Sequence, residues 1–178
     1  MNPKLIVPSP CFNLMSDGDF TLINLDKRHQ TVTRQLLQDP KITPHLPPEL
    51  ALDHAILTFP ISRSLAALAR RQTIALGLLD KHHTLCAVIE VNRVAKGRYE
   101  LGYVVTPSHW RQGVGTHLLS LTTRWAKQVL GAQHFIAFTA NTHRGQAPLL
   151  RRAGFVWLSR QRYSNPQASQ QWVDCYQL

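Results

Sequence analysis

Residues 102–119 read GYVVTPSHWRQGVGTHLL: an apolar run ending at Pro107, a turn with glycines at 113 and 115, then apolar residues at helical spacing. In a strand, Gly-x-Gly turn and helix, the unpaired N–H groups of the first helical turn converge on one point, where a phosphate binds well. Val114, Leu118, Leu121, Trp125 and Val129 carry the helix to Gly131, which reads as its C-terminal cap. Two familiar nucleotide loops are excluded. GVGT lacks the Gly-Lys-Ser/Thr ending of a P-loop and the third glycine of a dinucleotide fingerprint.

The flanking sequence sets the fold class. Residues 73–105, TIALGLLDKHHTLCAVIEVNRVAKGRYELGYVV, hold three β-like runs separated by DKHH and NRVAKG, the pattern of an antiparallel meander. A dinucleotide-binding unit would instead open on a parallel strand near the N-terminus. Upstream, alternation through Phe20, Leu22 and Asn24 gives way to helical spacing that ends at Leu36, Leu37 and Pro40, a strand followed by a helix. Two more helices are expected, one after Pro47 and Pro48 and one from Ser62 to Arg71, with proline well placed in a first turn that needs no N–H there. Downstream, HFIAFTA reads as a buried strand, Pro148 opens a short helix through LLRRAGF, and FVWLSR and QWVDCYQL read as closing strands. The expectation is an α/β (α+β) fold: one domain over 1–178, with 1–16 as an irregular extension. Its elements run β-α-α-α-β-β-β-α-β-α-β-β around a mixed, mostly antiparallel twisted sheet flanked by helices.

At 178 residues the chain suffices for one well-buried core. Its 44% hydrophobic and 17% charged content belong to a folded protein rather than a disordered one. No run reaches the roughly 18 to 20 apolar residues that cross a bilayer, so no membrane association is expected. The N-terminus is broken by Pro8 and Pro10 and does not read as a signal peptide. Cys11, Cys86 and Cys175 are too few and too odd in number for a disulfide framework and fit a reducing, cytoplasmic setting. His82, His83 and Cys86 lie close in sequence but point to different sides of a hairpin, so no metal is expected. The formal net charge is +10, and no carboxylate occurs between Leu101 and Val173, where eight arginines and lysines fall. Such a stretch attracts a phosphate-bearing ligand, an acidic protein or a nucleic acid, the last not favoured. Charge alone does not choose among them.

The stretch GYVVTPSHWRQGVGTHLL resembles motif A of the Gcn5-related N-acetyltransferases, where a strand ending Val-x-Pro leads into a Gln/Arg-x-x-Gly-x-Gly/Ala loop and a helix. Trp110 stands at the Gln/Arg position, followed by Arg111, Gln112, Gly113, Val114 and Gly115. A tryptophan there resembles the branch of the Rim-type ribosomal-protein acetyltransferases. FTLINLDKRHQTVTRQLLQDPKITPHLP, RYELGYVV and NTHRGQAPLLRRAGF extend the resemblance over most of the chain. It implies acetyl-CoA as cosubstrate, held at its pyrophosphate by the loop and the helix from Thr116, with Gly113 and Gly115 allowing close backbone approach. It further implies that the strand before the loop splays from its neighbour, freeing backbone groups of Val104, Val105 and Thr106 for the pantetheine arm, and that Asn141 hydrogen-bonds that arm.

Acetyl transfer needs an unprotonated amine, a site for negative charge on the thioester oxygen, and a proton for the departing thiolate. Glu100, on the strand that leads into the loop, is the candidate base, with Glu90 next; an N–H near Val104 or Val105 would meet the oxyanion. Many relatives carry a tyrosine four residues before the Gly of a Gly-Phe pair, a position held here by Leu150. Tyr103 is the candidate substitute acid, against its reading as a core tyrosine. The acceptor implied is a primary amine: a protein N-terminus such as a ribosomal protein's, an amino acid, or another small amine. The different-class alternative is a non-catalytic module that senses acyl-CoA or binds nucleic acid. A monomer or homodimer is expected.

Overall fold

The computed structural model describes residues 5–7, 13–45, 73–140, 145–163 and 171–178. Its strands are β1 (Asn13–Asp17), β2 (Phe20–Asn24), β3 (Thr73–Leu79), β4 (Leu85–Ala95), β5 (Arg98–Val105), β6 (His134–Ala140), β7 (Val156–Tyr163) and β8 (Gln171–Gln177). The helices are α1 (Gln30–Leu37), α2 (Val114–Leu130) and α3 (Gln146–Arg152). One open sheet carries the strands in the order β1-β2-β3-β4-β5-β6-β8-β7. Every neighbouring pair is antiparallel except β5 with β6, which is parallel because α2 crosses between them. No described helix is long and apolar enough to cross a membrane.

The meander and the helix after the glycine loop form as the sequence predicts. The two helices expected between Pro47 and Arg71 lie outside the described residues. One element was not anticipated. Asn13–Asp17, all but its last residue expected within an irregular extension over 1–16, forms a hairpin with β2, its turn closed at Gly18, whose φ of +56° suits glycine. NLMSD alternates too weakly to announce a strand; it is recruited because β2 presents an open edge. Further upstream, Ile6 bridges Thr84.

Alternation along the strands divides the apolar residues between two faces. Leu22, Ile74, Leu76, Ile89, Val91 and Leu101 pack under α2 with Leu118, Leu119, Leu121 and Trp125. On the other face, Ile23, Leu25, Ala75, Leu79 and Leu85 pack with Val32 and Leu36 of α1. That helix follows a capping box in which Asp26 accepts from the Arg28 N–H and His29 Nδ1 accepts from the Asp26 N–H. α2 ends at Gly131, whose φ of +65° makes it the expected C-terminal cap.

Candidate active site

The central feature is the parting of β5 from β6. They pair only over Arg98–Glu100 with His134–Ile136, although β5 runs on to Val105 and β6 to Ala140. Beyond Glu100 a wedge opens, and Glu100 stands at its vertex. The opposite edge of β5 stays zipped to β4 through Val105 with Ala87.

Register decides which backbone groups face the wedge. Thr106 donates its N–H to Cys86 O at 2.8 Å, continuing the β4–β5 ladder, in which Val104 pairs with Val88. Antiparallel strands alternate inward and outward pairs, so the N–H groups of Thr106 and Val104 point to β4 and those of Val105 and Tyr103 point into the wedge. Of the three residues expected to have free backbone, Val105 turns its N–H to the wedge, whereas Val104 and Thr106 turn theirs to β4. Tyr103, singled out for its hydroxyl, offers main chain as well. Trp110 Nε1 donates to Val105 O at 2.8 Å. The tryptophan thus holds the end of β5 in place, and no described residue takes the Val105 N–H.

The loop is a strained turn followed by an uncapped helix. Arg111 has φ +61° and Gly113 φ +78°. For arginine this left-handed backbone is uncommon, and it tips successive N–H groups to one side. Gln112 Nε2 donates to Ser108 O at 2.7 Å and braces the turn. The α2 N-terminus begins at Val114, two residues before Thr116, and has no side-chain cap. Thr116 and His117 donate to Gly113 O, while no described backbone acceptor takes the N–H groups of Gly113, Val114 or Gly115. Three donors and the positive end of a 17-residue helix are therefore available to an anion.

Gly115 also has a packing reason to be glycine. It is buried, and a Cβ there would collide with the side chain of Leu149 on α3, with Cγ 3.2 Å away. Its lack of a side chain lets α2 and α3 pack. Gly113 faces open space, and its positive φ is what requires glycine.

The carboxylates and Tyr103 project to opposite faces. Glu90 pairs across the strands with Gly102 and Glu100 with Asn92, so both acids share the α1 face with Val88 and Val104. Burial pushes the Glu100 carboxyl above the ordinary carboxylate range. Glu90 is also raised, by burial and by its repulsion from Glu100, against a lowering hydrogen bond from Asn92. Tyr103 packs on the α2 face, where its buried hydroxyl has no hydrogen-bond partner among the described residues and its pKa is raised by burial. Leu150 is fully buried on that same face and supplies no polar atom. Asn141 lies outside the described residues. Of the histidines near the loop, His117 packs its ring against Phe20 at 4.9 Å and His109 bonds Thr106. A cleft of about 440 Å³ bounded by Arg93, Lys96, Tyr99, Leu130 and Gln133 lies at the other end of α2, some 25 Å from the loop at about 1.5 Å per residue, and takes no part in this site.

Comparison with known proteins agrees with this fold. A family model described as an acetyltransferase (GNAT) domain matches residues 19–156. No curated protein matches the sequence. Among solved structures, the apo ribosomal L7/L12 alpha-N-protein acetyltransferase RimL superposes with a TM-score of 0.80 at 15% identity, covering 97% of this chain and 98% of that one. The microcin C7 self-immunity acetyltransferase MccE, in complex with acetyl-CoA and AMP, gives 0.77 at 12% identity over 91% and 93%. Spermidine N-acetyltransferase from Vibrio cholerae, in complex with CoA and spermine, gives 0.74 at 13% over 91% and 96%. At these identities the likeness is one of fold.

Proposed function

The chain belongs to the GNAT acetyltransferase family, and from that premise we propose that it transfers the acetyl group of acetyl-CoA directly to a primary amine. The observation that carries the reading is the wedge between β5 and β6, with open backbone donors along one side, an anion-binding helix start at its mouth and a carboxylate at its vertex. The residues fit the cosubstrate. The N–H groups of Gly113, Val114 and Gly115 meet the pyrophosphate, and those of Val105 and Tyr103 line the path of the pantetheine arm.

The amine enters from the α1 face. Glu100, its carboxyl raised by burial, acts in its carboxylate form and removes a proton from the acceptor ammonium. The amine lone pair forms an N–C bond to the thioester carbonyl, and the negative charge on its oxygen is met by the Val105 N–H. Collapse breaks the C–S bond. Tyr103, kept protonated by its burial, gives its proton to the departing thiolate and recovers one from the amide nitrogen through solvent. Acceptors of the two kinds handled by the fold neighbours, a protein N-terminus and a polyamine, suit an acid-lined face.

The experiment is release of free CoA thiol from acetyl-CoA with N-terminal peptides, amino acids and polyamines as acceptors. Turnover is expected with at least one class. Tight acetyl-CoA binding with no thiol release on any acceptor would replace the enzyme with a sensor on the same fold.

A further inference from the structure

Three side chains of different chemistry meet beside the loop, outside the site described above. Asp80 lies in the turn between β3 and β4, Cys86 at the start of β4 and His109 in the turn ahead of Trp110, and their ligand-capable atoms all lie within 4.8 Å of one another. Cys86 Sγ is 3.5 Å from His109 Nε2. Tetrahedral zinc, with Zn–S of about 2.3 Å and Zn–N of about 2.0 to 2.1 Å, sets its sulfur and nitrogen ligands about 3.5 Å apart.

The surroundings orient each group as outer partners orient metal ligands. Thr106 Oγ1 lies 3.0 Å from Cys86 O and 2.6 Å from His109 Nδ1; with the hydroxyl proton on Cys86 O, the imidazole donates from Nδ1. That tautomer leaves the Nε2 lone pair facing Cys86 Sγ. Asp80 Oδ1 is held at 2.8 Å by the N–H groups of both His82 and Thr84. The Cys86 thiol donates to Thr84 O at 3.3 Å. His82 and His83, beside Cys86 in sequence, are exposed and lie outside the set; the partners of Cys86 are Asp80 and, 23 residues downstream, His109.

We propose that Asp80, Cys86 and His109 form a site for a zinc-class transition-metal ion that ties the β3–β4 turn to the segment leading into the glycine loop. Sulfur, imidazole and carboxylate together suit zinc or cobalt and do not suit calcium or magnesium, which take all-oxygen shells. Binding forms three metal–ligand bonds and displaces the Cys86 thiol proton to solvent. One thiolate and one carboxylate then balance the two positive charges, and a water completes the tetrahedron. The site lies on the β4 side of β5, away from the wedge, and fixes the position of His109 and hence of the adjacent Trp110.

The test uses the full chain stripped with chelator and titrated with cobalt(II) alone. One equivalent is expected to bind, with thiolate-to-cobalt charge-transfer absorption that an equimolar amount of zinc(II) abolishes. Cys86→Ala should remove the band, His109→Ala should weaken binding at least tenfold, and Cys175→Ala should leave both unchanged. Absence of the band in the unmodified chain, or its survival in Cys86→Ala, overturns the proposal. If Cys86→Ala fails to fold by circular dichroism, His109→Ala decides alone, and unchanged cobalt affinity in it overturns the site. The readout needs no acetyl-CoA, so it stands or falls separately from the acetyltransferase reading.

Discussion

Glu100 and Tyr103 are three residues apart on β5 and therefore project from opposite faces of the sheet, with the wedge between them. This is a workable division of labour, in which the acceptor amine and its base lie on one face and the thiolate and its proton donor on the other. The pH dependence follows from the Glu100 environment. Its carboxyl is raised by burial, so it acts as a base only above that raised value and is protonated, hence inactive, below it. Glu100→Gln should lower kcat/KM by about ten- to a thousandfold at pH 8, a range suited to loss of a general base. The gap between the variants should close as pH falls, because protonated glutamic acid and glutamine are then alike. A pH–rate profile of the two proteins is the measurement, and a constant ratio across pH would remove Glu100 from proton transfer.

The loop and its two helices form the next unit. The two glycines of the loop have separate functions: Gly113 supplies a left-handed turn, and Gly115 makes room for Leu149 where α2 meets α3. Gly115→Ala should therefore act first on stability. Overpacking at this contact is expected to cost about 1 to 3 kcal/mol. Gly115→Ala combined with Leu149→Ala should recover part of that loss relative to Leu149→Ala alone, which thermal denaturation of the four proteins would show. Additive losses would mean that the two residues do not compete for the same space.

At the scale of the molecule, charge is distributed unevenly along the chain. The segment without carboxylates contains the loop, α2, α3 and β7, while Glu90 and Glu100 supply the acids of the α1 face. A positive field on the cofactor side attracts the three phosphates of acetyl-CoA and is screened by salt, the Debye length falling from about 10 Å at 0.1 M to about 3 Å at 1 M. Raising the ionic strength over that range should weaken acetyl-CoA binding about three- to tenfold by calorimetry. Affinity indifferent to salt would place the binding energy in the backbone donors alone.

The sequence by itself determined the meander, the strand-loop-helix unit and the glycine at the end of α2, because periodicity, proline and glycine act through neighbours along the chain. It also contained the residues of motif A in order. It did not determine β1, whose residues form a strand only against the open edge of β2. Nor did it separate Val105 from Val104 and Thr106, since the direction of an N–H depends on the register with β4. Gly115 could be recognised as part of a motif, but its packing against Leu149 joins residues 34 positions apart. The meeting of His109 with Cys86 and Asp80 depends in the same way on β4 and β5 lying side by side. Local conformational preference is written in adjacent residues, whereas which strand edge opens and which side chains converge are decided when distant segments compete for the same hydrogen bonds and the same space.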